Sequence, residues 1–309
     1  MYKSEVLRNP NYNKEELSTT WGQPTYDKYL TSESTWQWSN FPNFSQRKSI
    51  KDKCSLPQNM SVLEIGCAAG GAYKYLMSNG AITEKSDYTG LDISEKGIHN
   101  CKTLHPEANW IKADLTSYKF KRKFDFSFER IAVHHMPDPL AMFDKIAAAT
   151  NISMATGFVS CLKGTTISNL ELARYRHSNG ELVFFDIINP LEVCEVMLDH
   201  GFRKFEFLYR GVHEKIDANP LAHQYLSPDI SRTNRMIGRT QIIATKTGKP
   251  DIETNLLSSH PYKNNVILFG LRALKSILTN RWYHVKFLED QLQTFQNRTD
   301  GVLIKSRYD

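Results

Sequence analysis

The sequence predicts a doubly wound α/β domain with a mostly parallel sheet over roughly residues 45–247. Three observations predict it. From about residue 60, short apolar stretches alternate with segments of helical period, the pattern of strand–helix–strand units on a parallel sheet. The first apolar stretch, Val62-Leu63-Glu64-Ile65, runs into a turn of tiny residues, Gly66-Cys67-Ala68-Ala69-Gly70-Gly71, that opens a helix. Carboxylates then close the next two strands, Asp92 in Tyr-Thr-Gly-Leu-Asp-Ile and Asp114 in Trp-Ile-Lys-Ala-Asp-Leu.

In chain order, the pattern predicts strands at 61–65, 88–92, 109–112, 124–128, 153–161, 204–209 and 241–245. Helices fit between them at 70–78, 94–104, 139–150 and 190–200. The last is the best marked, with Pro190 suited to its first turn and Gly201 to its stop. Two connections, 162–189 and 211–239, exceed what a plain helical crossover needs, and the first includes a candidate strand at 181–187. Long insertions of this kind act as lids or binding loops.

The flanks differ in character. Residues 1–44 carry Trp21, Tyr26, Tyr29, Trp36, Trp38, Phe41 and Phe44, too many aromatics for a disordered tail, and read as an N-terminal arm or cap. Residues 248–309 read as a helical extension, because Ile267, Leu271, Leu274, Leu278, Trp282, Val285, Leu288 and Leu292 recur at helical spacing beside Arg272, Lys275, Arg281 and Lys286. That segment, 264–293, admits three readings: packing on its own domain, a homodimer interface, or peripheral contact with an anionic membrane surface.

Composition narrows the class. With 40% hydrophobic residues in 309, a core forms without disulfide or metal staples. The five cysteines, Cys54, Cys67, Cys101, Cys161 and Cys194, are widely spaced and form no CxxC pair, so neither a zinc knuckle nor a redox dithiol is signalled, and no metal is expected. Reduced thiols, an N-terminus without the apolar stretch of a signal peptide and the lack of an 18-residue apolar run point to a cytoplasmic protein. The net charge of +6 is a mild bias toward anionic ligands or surfaces.

The turn after the first strand needs close approach: Gly66, Ala68 and Gly70 let a ligand lie against backbone at the strand's carboxyl end. A nicotinamide-binding fingerprint looks similar. Asp92, 26 residues after Gly66, suits a carboxylate accepting hydrogen bonds from both ribose hydroxyls of a nucleoside. Asp114 has no particular use in a dinucleotide enzyme, whereas a site for S-adenosylmethionine (SAM) needs a carboxylate there for the adenine amino group. Taken singly, Glu64, Asp92 and Asp114 also suit helix caps or solvated strand ends.

The series VLEIGCAAGG, YTGLDIS, NWIKADL and FDFSFERIAVHHMPDP resembles the class I, Rossmann-like SAM-dependent methyltransferases, closest to those that methylate small molecules, over about 200 residues. The resemblance implies a seven-stranded sheet with an antiparallel last strand. It implies Glu64 and Gly66 near the methionine moiety, Asp92 on the ribose, and Asp114 on the adenine edge with Leu115 beside the ring. Cys67, Ala68, Gly70, Ile93 and Glu129 complete the implied cofactor contacts. The chain departs from the family in having Ala68 at the middle glycine and no Lys-Pro-Gly-Gly turn near Asn151.

After the fourth strand, Glu129-Arg130-Ile131-Ala132-Val133-His134-His135-Met136-Pro137-Asp138 lies where the methyl meets its acceptor, so His134 or His135 is the candidate base. Relatives carry a similar pair that only supports the loop. No Asn-Pro-Pro-Tyr or Asp-Pro-Pro-Tyr element is present, which argues against nucleic-acid bases as acceptors. Arg174, Arg176, Arg232, Arg235 and Arg239 suit either an anionic acceptor or a solvated face. The expectation is methyl transfer to a hydroxyl, less readily an amine, of a small-molecule or glycan-type acceptor. Two other readings stay open: a non-catalytic module acting through its C-terminal helix, and an NAD-type oxidoreductase.

Overall fold

A computed structural model describes residues 57, 59–78, 80–161, 164–168, 174–176, 182–211, 237–246, 251–258 and 303–308. In chain order the elements are β1 (Ser61–Ile65), α1 (Gly71–Ser78), β2 (Asp87–Asp92), α2 (Glu95–Leu104), β3 (Asn109–Lys112), β4 (Phe124–Glu129), a 3-10 turn (Val133–His135), α3 (Pro139–Ala148), β5 (Thr150–Cys161), β6 (Arg174–Arg176), β7 (Leu182–Phe184), α4 (Pro190–Asp199), β8 (Lys204–Gly211), β9 (Ile237–Thr245), β10 (Asp251–Ser258) and β11 (Leu303–Tyr308). All seven expected strands form.

They lie in one sheet in the order β11-β10-β8-β9-β5-β4-β1-β2-β3. β9 alone runs against the rest: it pairs antiparallel with β5 and β8, while every other pairing in this sheet is parallel. The predicted antiparallel strand is therefore in place. β10 and β11 extend the sheet beyond the expected seven strands and lie within the stretch read as a helical extension. The amphipathic segment 264–293, the arm 1–44 and most of the connection 211–239 fall outside the described residues.

Alternation along β1 divides the core in two. Leu63 and Ile65 pack with α3 and α4 through Phe143, Ile146, Val193 and Met197. Val62 packs on the opposite face with α1 and α2 through Ala72, Leu76, Ile98 and Cys101. Burial on both faces is what a parallel sheet under crossover helices requires. Leu63 has no exposed surface, so truncating it to alanine costs about 2–5 kcal/mol.

Local signals set the helix ends. Ser94 accepts from the Gly97 amide at 3.1 Å and starts α2. Asn189 accepts from the Leu191 amide at 2.9 Å ahead of Pro190, and Gly201, at φ +85°, stops α4 where the sequence predicts. The missing turn before β5 has a simple solution: α3 passes into β5 through Ala149 alone. The Thr150 hydroxyl donates to the Ile146 carbonyl at 2.7 Å, and Lys246 donates to the Thr150 carbonyl at 2.5 Å.

Among the described residues no helix is long and apolar enough to cross a membrane. Cys67, Cys101, Cys161 and Cys194 are buried and take part in no disulfide.

Candidate active site

The carboxyl ends of β1, β2 and β3 lie side by side, which puts the Gly66 turn, Asp92 and Asp114 in a row. Two strand spacings are about 10 Å, the reach of a nucleoside. Backbone bonds fix the row: the Gly66 and Cys67 amides donate to the Leu91 carbonyl at 2.8 and 3.3 Å, and the Ala113 amide donates to the Asp92 carbonyl at 2.9 Å.

The turn after β1 uses the left-handed region at alternate positions: Gly66 at φ +73°, Ala68 at +47° and Gly70 at +80°. Ala68 tolerates that region at some cost because its amide donates to Asp92 Oδ2 at 2.9 Å. Asp92 Oδ1 accepts from the Ser94 amide at 2.8 Å. Backbone amides thus occupy both oxygens, and a carboxylate has about four acceptor positions, so room is left for a ribose hydroxyl. Burial pushes the Asp92 carboxyl up, opposed by the amides of Ser94, Ala68 and Ile93.

Asp114 is shaped by Thr116, whose amide donates to Oδ1 at 2.8 Å and whose hydroxyl donates to Oδ2 at 2.7 Å. Leu115 is buried in the α3-side core. Glu64 lies on the opposite side of the sheet, beneath the glycine turn, 4% exposed, and accepts from the Tyr88 hydroxyl at 2.5 Å. Burial pushes it up to about 8, with the Tyr88 bond opposing and the Asp92 charge adding. Cys67 is a buried thiol pushed up first by burial, so it is a packing group and no nucleophile.

Glu129, buried at the end of β4, accepts four hydrogen bonds. The amides of Ala132 and Val133 donate to Oε2 at 3.1 and 3.2 Å, the Gly157 amide donates to Oε1 at 3.1 Å, and the Thr156 hydroxyl donates to the same oxygen. With its acceptor positions filled, this carboxylate holds the loop after β4. That loop contains Ile131 at φ +58°, a strained conformation for a β-branched residue, and presses Ala132 against Gly66.

The same loop leads into the turn with His134 and His135. Their Nε2 atoms are 2.9 Å apart, the rings meet nearly edge-to-face, and Phe185 packs on both. His134 is fully buried, His135 half-buried. The Asp186 amide donates to the His134 carbonyl at 2.7 Å, tying the insertion after β5 to this turn. Asp186 is fully buried, and among the described residues the Ser168 hydroxyl is the polar side chain that bears on its carboxyl. Burial pushes it well above the usual carboxylate range, with the nearby Ser168 hydroxyl opposing and Asp138 adding.

Glu64, Gly66, Cys67, Ala68, Gly70, Asp92, Ile93, Asp114, Leu115, Glu129, His134 and His135 thus all lie at or just below the carboxyl edge of β1–β4. The structure adds partners that the sequence did not single out, among them Tyr88 on Glu64, Thr156 on Glu129 and Asp186 beside the histidines. Among the described residues no three His, Cys, Asp or Glu side chains gather to hold a metal ion.

Residues 63–151 match the family model of a methyltransferase domain. Among solved structures, the [4+2]-cyclase SpnF aligns over 77% of this chain and 98% of its own at 15% identity, with a TM-score of 0.51. Magnesium protoporphyrin IX methyltransferase (ChlM) from Synechocystis PCC 6803, with bound SAM, aligns over 77% of this chain and 100% of its own at 13% identity and a TM-score of 0.47. A methyltransferase from Mesorhizobium loti aligns over 62% and 94% at 15% identity and a TM-score of 0.40. No protein of curated function matches the sequence. Residues 63–151 thus form a SAM-dependent methyltransferase domain, and SAM is its cofactor.

Proposed function

We propose that the protein transfers a methyl group from SAM to a hydroxyl, or less readily an amine, of a small-molecule or glycan-type acceptor, with His135 taking the proton. SAM supplies a methyl group already activated on a sulfonium. The protein's share is alignment of the acceptor and disposal of one proton. The observation that carries this reading is the 2.9 Å Nε2–Nε2 contact between His134 and His135. One ring must donate and the other accept. With the proton on His135 Nε2 and buried His134 accepting, His135 Nδ1 is the basic nitrogen. An acceptor O–H then passes its proton to that nitrogen as its oxygen bonds to the methyl carbon and the carbon–sulfur electron pair returns to sulfur. The imidazolium so formed still donates to His134, which stabilises it.

The insertion 162–189 supports an acceptor site here, because Phe185 and Asp186 come from it and touch the histidine turn. In this reading that insertion, residues 211–239 and the N-terminal arm roof the acceptor.

Methyl-labelled SAM, incubated with a panel of phenols, glycosides and primary amines, tests it. Label should enter hydroxyl compounds, and His135→Gln should slow transfer by about 10²–10⁴-fold with unchanged affinity for S-adenosylhomocysteine (SAH). Label in amines alone, or a His135→Gln enzyme at full rate, contradicts it.

A further inference from the structure

We propose that Lys145 is a positioning residue for adenine recognition: its ammonium fixes the turn that carries Asp114 and Leu115, and thereby sets which base the cofactor site accepts. The proposal rests on SAM as cofactor and on Asp114 as the group facing the adenine edge.

The turn after β3 needs an anchor. β3 is four residues long and is the last strand at this edge of the sheet. Past Lys112, the Ala113 amide reaches back to the Asp92 carbonyl, and that is the final tie to the sheet. The bonds that follow are local. Thr116 donates twice to the Asp114 carboxylate, and the amides of Ser117 and Tyr118 donate to the Asp114 carbonyl at 3.1 and 2.9 Å. They fold the turn onto itself, and Ala113, Tyr118 and Phe120 on either side of it pack against the α3-side core.

Lys145 adds a connection from the last turn of α3. Its Nζ donates to the Leu115 carbonyl at 2.7 Å and to the Thr116 carbonyl at 2.8 Å. Among the described residues no other donor reaches either carbonyl. Both bonds are charge-assisted and short, the strong kind. Thr116 becomes the link: its carbonyl is held by Lys145 while its amide and hydroxyl hold the two Asp114 oxygens. Leu115 adds a second grip, since its side chain shares a core with Met142 and Ile146 of the same helix. Lys145 thus ties the segment that bonds the Asp114 carboxylate to α3.

A carboxylate there favours a base edge that donates. Adenine offers its amino group. Hypoxanthine offers a carbonyl oxygen, which meets the Asp114 oxygens as acceptor against acceptor. The ratio of affinities for SAH and S-inosyl-L-homocysteine therefore reads the placement of Asp114, independent of methyl transfer.

Both ligands are titrated calorimetrically into the full chain. The wild type should favour SAH by about tenfold or more, and Asp114→Asn should lose that preference. Lys145→Met should narrow it to within about threefold, while Lys145→Arg, which keeps a cationic donor, retains most of it. Lys145→Gln repeats the test should the methionine variant lose its fold. Lys246→Met is the matched control. Lys246 holds the Ala147 and Thr150 carbonyls where α3 passes into β5, and bonds neither Leu115 nor Thr116, so its loss should move stability and leave the ratio alone. A Lys145→Met protein with the wild-type ratio, or one that weakens both ligands equally, overturns the proposal. A wild type that binds the two alike, or an Asp114→Asn variant with the ratio intact, instead fails the adenine reading beneath it.

Discussion

Gly66 faces Ala132 so closely that a Cβ built on it would lie 2.5 Å from the Ala132 Cβ. The two residues belong to different loops, after β1 and after β4, and their contact joins the cofactor turn to the turn with His134 and His135. Gly66→Ala combines that overlap with an unfavourable φ of +73°. It should cost about 2 kcal/mol or more in stability and weaken SAH binding at least tenfold, by denaturant titration and calorimetry. A variant of wild-type stability and affinity would show that the loops do not depend on each other.

Glu64 makes stability depend on pH. Its folded-state value of about 8 stands above the ordinary 4.5. Below 4.5 both states hold the proton and stability is full. Between 4.5 and 8 only the folded state holds it, so stability falls with rising pH and the contribution is lost above 8. Glu64→Gln removes this dependence. In urea denaturation of the cofactor-free protein, the variant should match the wild type near pH 4 and exceed it by roughly 2–5 kcal/mol at pH 9. A constant difference across that range would show that the buried carboxyl does not hold its proton.

Two other buried carboxylates should respond oppositely when neutralised. Glu129 has four donors, and Glu129→Gln turns an amide NH₂ toward two of them while releasing the strained Ile131 loop. A loss of about 2–4 kcal/mol is expected. Among the described residues only the Ser168 hydroxyl opposes the burial of the Asp186 carboxyl, so Asp186→Asn chiefly removes the cost of a buried charge. Its folded value is raised, so its advantage is absent at acid pH and grows as pH rises. Denaturation at pH 7 should show a gain of about 1 kcal/mol or more. A comparable loss would mean that the charged form has a partner.

Much of the fold was legible because its signals are local. The turn at Gly66–Gly71, the Pro190 and Gly201 bounds of α4 and the strand-closing Asp92 and Asp114 each occupy a few consecutive residues. β5 begins at Thr150, earlier than its apolar run suggests, because tertiary bonds from Phe124 and Lys246 hold polar residues in extended form. β10 carries a period-two alternation, Ile252, Thr254 and Leu256, that is weaker than the helical pattern further on. Within the site, the residue types at strand ends were readable and their partners were not. Glu129 reads as one more strand-end carboxylate until Thr156 and Gly157 from β5 are seen to fill it. The Lys145 and Asp186 contacts likewise join segments about 30 and 50 residues apart, a separation that no local pattern encodes.

We propose the row formed by the Gly66 turn, Asp92 and Asp114 as the SAM site. Calorimetric titration of SAM, SAH and NAD into the full chain, with Asp92→Ala beside it, tests this most directly. Both adenosyl ligands should bind saturably, NAD should not bind, and the variant should lose at least tenfold in affinity. Absence of SAM and SAH binding, or undiminished binding by Asp92→Ala, would contradict it.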